Sequence, residues 1–98
     1  MRVRFMSQAE EEVLQATAYY LERSSVIADQ FLASLSNATD LLLQFPGVGS
    51  PVAGEARRFI LKTFPYQLIY RAEGDEIRVY TVAHLKRKPN YWTGRLQR

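Results

Sequence analysis

Phe64-Pro65-Tyr66-Gln67-Leu68-Ile69-Tyr70-Arg71, then Glu73-Gly74-Asp75, then Ile77-Arg78-Val79-Tyr80-Thr81-Val82-Ala83-His84 reads as two extended runs joined by a glycine turn. Upstream, Arg58-Phe59-Ile60-Leu61-Lys62 is a third such run, and Thr63-Phe64-Pro65 turns it into the next. Connections this short predict an antiparallel meander of three strands. The two-residue period sets Arg58, Ile60 and Lys62 opposite Phe59 and Leu61. It likewise sets Arg78, Tyr80, Val82 and His84 opposite Ile77, Val79, Thr81 and Ala83, giving one apolar face and one mixed, basic face.

Working outward, residues 46–54 hold five of the chain's nine Gly and Pro residues and read as a loop where the periodicity changes. Before it, Ala28, Phe31, Leu32, Leu35, Ala38, Leu42 and Phe45 recur at helical spacing, with Ser24-Ser25 as the start and Pro46-Gly47 as the stop. An earlier helix is predicted from Val13, Leu14, Thr17, Tyr20 and Leu21. Its start is read at Ser7, three residues before Glu10, with Glu10-Glu11-Glu12 complementing the helix dipole. Val3-Arg4-Phe5 is a short opening strand. The expected fold is therefore α+β in two layers. An antiparallel sheet, made of the N-terminal strand and the meander, packs on an N-terminal helical hairpin in the order β-α-α-β-β-β. A short C-terminal tail or helix follows, with Pro89 opening its final turn.

A chain of 98 residues at 47% hydrophobic and 23% charged content suits one domain, 1–98, with one modest core, well away from disordered composition. No apolar stretch reaches the roughly 18 residues of a membrane span, and the first residues lack a signal-peptide core, so a cytoplasmic protein without membrane association is expected. With no cysteine and one histidine, neither a metal nor a cofactor is expected. The net charge of +3 conceals opposite halves. Residues 1–56 carry three basic and seven acidic side chains, net −4, and residues 57–98 carry ten basic and three acidic, net +7. The second half should attract an anionic partner, either a nucleic acid or an acidic polypeptide.

The densest chemistry lies after the last strand, where His84, Lys86, Arg87, Lys88 and Arg95 alternate with Tyr91 and Trp92. Cations meet phosphates or carboxylates, and large aromatics stack bases or anchor interfaces. A solvated basic tail, with Tyr91 and Trp92 folded back onto the sheet, accounts for the same residues. Metal-free RNA cleavage needs a base, a cationic cradle and an acid. His84, Tyr91, Arg58, Arg87 and Lys62 are the candidates, and imidazole is the side chain that ordinarily titrates near neutrality. Glu10, Glu11 and Glu12 are explained by a first helical turn, and Glu73, Asp75 and Glu76 by a solvated turn. Gly47-Val48-Gly49 lacks the lysine and the preceding strand of a phosphate loop.

Arg57-Arg58-Phe59, Phe64 through Arg71, Gly74-Asp75-Glu76-Ile77, and Val82-Ala83-His84 with Arg87, Tyr91-Trp92 and Arg95 occur here in an order and spacing that resembles the RelE/ParE superfamily of type II toxin–antitoxin toxins. The resemblance covers nearly the whole chain. It implies a small cytoplasmic toxin, encoded beside an acidic antitoxin whose partly disordered tail wraps and silences it, as in plasmid stabilisation modules. RelE-like members cut mRNA on the ribosome with a basic set on the sheet. Arg58 and Arg87 match two of those positions, while Ile60 and Gln67 fall where further cations are usual. Losing one such donor commonly costs about 3–4 kcal/mol of transition-state stabilisation.

The resemblance is thus closer to the ParE-like branch, whose members poison DNA gyrase and need a binding surface rather than an acid and a base. On that reading Arg58, Lys62, His84, Lys86, Arg87, Tyr91, Trp92 and Arg95 bind the target or the antitoxin. Two alternatives accompany it. One is a ribosome-dependent mRNA endoribonuclease using His84, Arg58, Arg87 and Tyr91, and the other is an antitoxin-binding module without toxicity. The antitoxin is expected to cover the helical hairpin and the basic sheet surface.

Overall fold

A computed structural model describes residues 1–97 of the chain. The elements are β1 (Arg2–Phe5), α1 (Ser7–Leu21), α2 (Ser25–Gln44), β2 (Ser50–Ala53), β3 (Ala56–Ile60), β4 (Tyr66–Glu73), β5 (Glu76–His84) and a C-terminal 3-10 helix (Thr93–Gln97). The strands form one sheet in the order β1-β5-β4-β3-β2. The α+β hairpin-on-sheet arrangement and the antiparallel meander of β3, β4 and β5 agree with the sequence reading.

Three details differ. First, β1 pairs parallel to β5, because the helical hairpin carries the chain away and returns it to the same end of the sheet. Second, the 46–54 loop contains β2, which pairs antiparallel with β3 along the sheet margin. That position tolerates Pro51, whose missing N–H takes nothing from a central ladder. Third, a bulge interrupts the two-residue period of β5: Ile69 faces Thr81 and Tyr70 faces Val79, leaving Tyr80 unpartnered. Tyr80 and Thr81 both turn away from the helices, and Val82 and His84 join Ile77 and Val79 on the helix side. The expected grouping of His84 with Arg78 and Tyr80 is thereby broken.

The helices differ in how they meet the sheet. Ser7 is the first helical residue of α1 and caps nothing; Met6 holds the cap position without a side-chain bond. Met6 N–H instead donates to Val79 O at 2.9 Å, so strand pairing fixes the helix entry. The buried stripe of α1 is Ala9, Glu12 and Ala16, whereas Leu14 and Leu21 are 66% and 57% exposed. Two alanines let α1 lie close to β5, which a row of leucines would prevent. In α2, Ser24 Oγ accepts from Ile27 N–H at 3.4 Å, the cap the sequence predicts. Ala28, Phe31, Leu35, Ala38 and Leu42 face inward, but Leu32 and Phe45 are exposed.

The main core joins Phe31, Leu35 and Leu42 to Leu61, Leu68, Tyr70, Ile77, Val79 and Val82. Tyr20, Phe31, Phe64 and Tyr66 close one end as an aromatic cluster with ring centroids 5.2–6.3 Å apart. At the other end Tyr70 pins the loop before β2, its hydroxyl donating to Pro46 O at 2.7 Å and accepting from Gly49 N–H at 3.0 Å.

On the opposite face, part of the sheet is covered by the C-terminal segment, where Trp92 packs on Ala56 and Ile69. Arg71 holds that segment down by donating to Leu96 O at 3.3 Å. The rest of this face carries Arg4, Arg78 and Arg71 in one cross-strand row and Arg2, Glu76 and Glu73 in the next. Arg78 pairs with Glu76 at 2.8 Å and with Glu73 at 3.3 Å, and these two carboxylates offset two of the four positive charges in these rows. The hydrogen bond from Arg78, then the charges of Arg4 and Arg2, hold the Glu76 carboxyl below its usual range against the opposing effect of desolvation.

Candidate functional site

Because β1 stops at Phe5, β5 beyond Val79 has no strand neighbour on that side, and the Val82 N–H would be an orphan donor. Glu12, at the middle of the α1 stripe, supplies the acceptor: its Oε1 takes the Val82 N–H at 3.0 Å. The same oxygen accepts from Arg95 Nη1 at 2.8 Å, and Oε2 accepts from the Tyr91 hydroxyl. Arg95 also reaches Tyr80 O at 3.2 Å and Thr81 Oγ1 at 3.3 Å. One carboxylate thus closes the sheet margin and fastens the segment that follows β5.

Tyr91 sits between two cations, with the Arg87 guanidinium 3.9 Å and the Arg95 guanidinium 5.0 Å from its ring centroid. Burial, then the hydrogen bond to Glu12 and its negative charge, push the Tyr91 phenol up to about 12 against the opposing pull of the two arginines. The Glu12 and Arg95 side chains are 10% and 16% exposed, while Arg87 is 54% exposed and only 3.9 Å from Glu12 Oε2. Arg95 is therefore an internal ion-pair partner, and Arg87 is an oriented cation that still faces solvent.

The structure brings His84, Arg87 and Tyr91 together and keeps Arg58 and Lys62 apart from them. His84 ends β5 on the helix side, its ring 5.2 Å from that of Tyr66, and its Nδ1 accepts from Lys86 N–H at 3.1 Å. Lys86 is exposed in the turn that Arg87 N–H closes on His84 O at 3.0 Å. Arg58 is exposed on the opposite face, in the row with Ile69 and Thr81. Lys62 lines the groove between β3 and α2 beside Asn37 and Leu41. Trp92 is 5% exposed and offers no surface to a partner in this conformation. The final turn begins at Thr93, because Asn90 at φ 63 first reverses the chain.

Glu12 is the residue that sequence reasoning missed. The signal was the spacing Ala9-x-x-Glu12-x-x-x-Ala16, which puts one charge among small residues on the side of α1 that faces the sheet. Among the described residues no group of His, Asp and Glu is arranged to hold a metal ion. Among them, too, no helix is long and apolar enough to cross a membrane.

The fold has solved counterparts. A chain of the chromosomal ParDE TA system from P. aeruginosa superimposes with a TM-score of 0.76 at 18% identity, over 86% of this chain and 95% of that one. Among curated protein sequences none matches this chain. A family model described as the ParE toxin of the type II toxin–antitoxin system, parDE, matches residues 3–89, from β1 to the turn after β5. The helical hairpin, the sheet and the strand end carrying His84 and Arg87 all fall within that match, and the chain belongs to the ParE toxin family of type II toxin–antitoxin systems.

Proposed function

We propose that this chain is the toxin of a type II toxin–antitoxin pair, that an acidic antitoxin silences it in the cytoplasm, and that it arrests growth by binding DNA gyrase. The contact surface, for the target and the antitoxin alike, is the cationic end of the molecule around His84, Lys86 and Arg87, with Tyr91, Trp92 and Arg95 holding the segment in place and Arg58 and Lys62 adding antitoxin contacts elsewhere. One observation carries the choice of binding over cleavage: the four ribonuclease candidates are not a working set. Arg58 lies on the far face, and the Tyr91 proton is directed at Glu12 with the phenol raised to about 12, too high for an efficient proton carrier near neutrality.

Purified toxin at micromolar concentration should inhibit supercoiling by gyrase and leave gyrase-dependent DNA breaks, and equimolar antitoxin should reverse both. Unimpaired supercoiling would end this reading. The adjacency of His84, Arg87 and Tyr91 favours one second reading, cleavage of mRNA on the ribosome. New ribosome-dependent transcript ends after induction, with supercoiling intact, would establish that reading instead.

A further inference from the structure

Between α1 and the end of β5 lies a cavity of about 180 Å³ lined by Gln15, Tyr19, Tyr66, His84 and Arg87, with Glu12 beside them. Its polar groups are unequal in kind. The Glu12 oxygens already receive Val82 N–H, Arg95 and the Tyr91 hydroxyl. His84 accepts at Nδ1 from Lys86 N–H, which leaves Nε2 as the ring nitrogen that donates. The Arg87 guanidinium is stacked on Tyr91, and among the described residues none of its N–H groups makes a hydrogen bond. Burial, then the neighbouring Tyr20 and Tyr19, raise the Tyr66 phenol, which keeps its hydroxyl protonated. The cavity therefore presents the donors of His84, Arg87 and Tyr66, while its one carboxylate, Glu12, is already occupied and Gln15 supplies an amide that can donate or accept.

We propose that this cavity is a carboxylate pocket that takes the side chain of one Asp or Glu from an acidic polypeptide docked over α1 and the turn after His84. The inference rests on the reading that the partner is an acidic protein, and it names where one of its carboxylates is seated. Size fits: a cavity of about 150 Å³ holds a benzene ring, so this one holds a single side chain. Charge fits as well, since Arg87 and Arg95 against Glu12 leave one positive charge for one negative. A polynucleotide would need a cationic track for the flanking phosphates; Lys86 and Lys88 make a short cluster with Arg87 in one turn, while Arg58 and Lys62 lie on other surfaces and do not extend it.

His84 is the only histidine in the chain, so one imidazole signal reports on the pocket. The labelled full-length protein is titrated by NMR with a glutamate-rich peptide, a glutamine-rich peptide of equal length, inorganic phosphate and a short RNA. The glutamate peptide should shift the His84 ring signals saturably and the glutamine peptide should not. Arg87→Gln should weaken that binding at least tenfold, whereas Arg2→Gln, which removes an equal charge from β1, should change it less than twofold. The near-ultraviolet signal of Trp92 verifies that both variants are folded.

An equal response to the glutamine peptide, tighter binding of phosphate or RNA, or an unchanged Arg87→Gln would overturn the pocket. The cognate antitoxin separates the two levels of inference. If it binds wild type and Arg87→Gln equally, the pocket fails and the toxin reading survives. If it does not bind wild type, the reading itself fails.

Discussion

At Glu12 a single carboxylate meets a backbone amide, a phenol and two guanidinium groups of the C-terminal half. Removing it leaves Arg95 with its charge in a largely enclosed position, the kind of change that costs about 3–5 kcal/mol. Glu12→Ala should therefore lose about that much in urea unfolding, while Glu11→Ala, on the exposed side of the same turn, should stay within about 0.5 kcal/mol. Tyr91 gives a separate test through pH. Its pKa rises on folding from 10.0 to about 12, so the folded state retains a proton that the unfolded chain releases first. The stability this contributes is complete below pH 10 and is lost as the pH climbs towards 12. Tyr91→Phe should flatten the stability curve in that window and leave its neutral-pH shape unaltered.

At the scale of elements, the loop between α2 and β2 is fixed by a close approach. A Cβ on Gly49 would stand 2.7 Å from Arg58 O and 2.8 Å from the Tyr70 hydroxyl, both set by the sheet. Gly49→Ala should cost about 1–3 kcal/mol in thermal or chemical unfolding, and Tyr70→Phe about 1–2 kcal/mol through two lost hydrogen bonds. Gly47→Ala, with nothing near its added carbon, is the control.

The order of helices and strands was legible because hydrophobic period changes sharply at Pro46, and the Ser24 cap was legible because capping is local chemistry. Three things were not. The β5 bulge leaves no mark in an alternating run, so face assignments beyond Tyr80 inverted and His84 was grouped with the wrong neighbours. The β2 strand contains a proline, which local reading takes for loop. The α1 stripe is made of alanines and one acid, so larger but exposed Leu14 and Leu21 drew the eye. The candidate site was half legible. His84, Arg87 and Tyr91 do come together, but the role of Glu12 depends on a contact 79 residues away in sequence, which no window captures.

Over the whole molecule, the opposite charges of the two halves are partly consumed in folding. Glu12 joins Arg95 and Arg87, and Glu76 joins Arg2, Arg4 and Arg78. What is left for a partner is smaller than the net +7 of the second half, and among the named candidates it is carried by Lys86, Arg87, Arg58 and Lys62. Attraction of an acidic partner to such exposed groups is screened by ions. Lys86→Glu with Arg87→Glu should weaken antitoxin binding and flatten its dependence on salt, measured by calorimetry at several ionic strengths. Arg95→Glu should instead act through folding, lowering thermal stability before any effect on binding can be read.

The carboxylate of Glu12 is synthesised some eighty residues ahead of the cations it serves. Apart from residues 87–97, the chain from β1 to β5 already contains the helical hairpin and every strand of the sheet, yet Trp92, Tyr91 and both arginines that meet Glu12 lie in that last stretch. With that stretch undocked, the sheet face formed by Ile69 and Ala56 would lose its Trp92 cover. The same carboxylate that closes the open margin of β5 thus decides whether the far face of the sheet is roofed, because the tail that lays Trp92 over it is tied at residue 12.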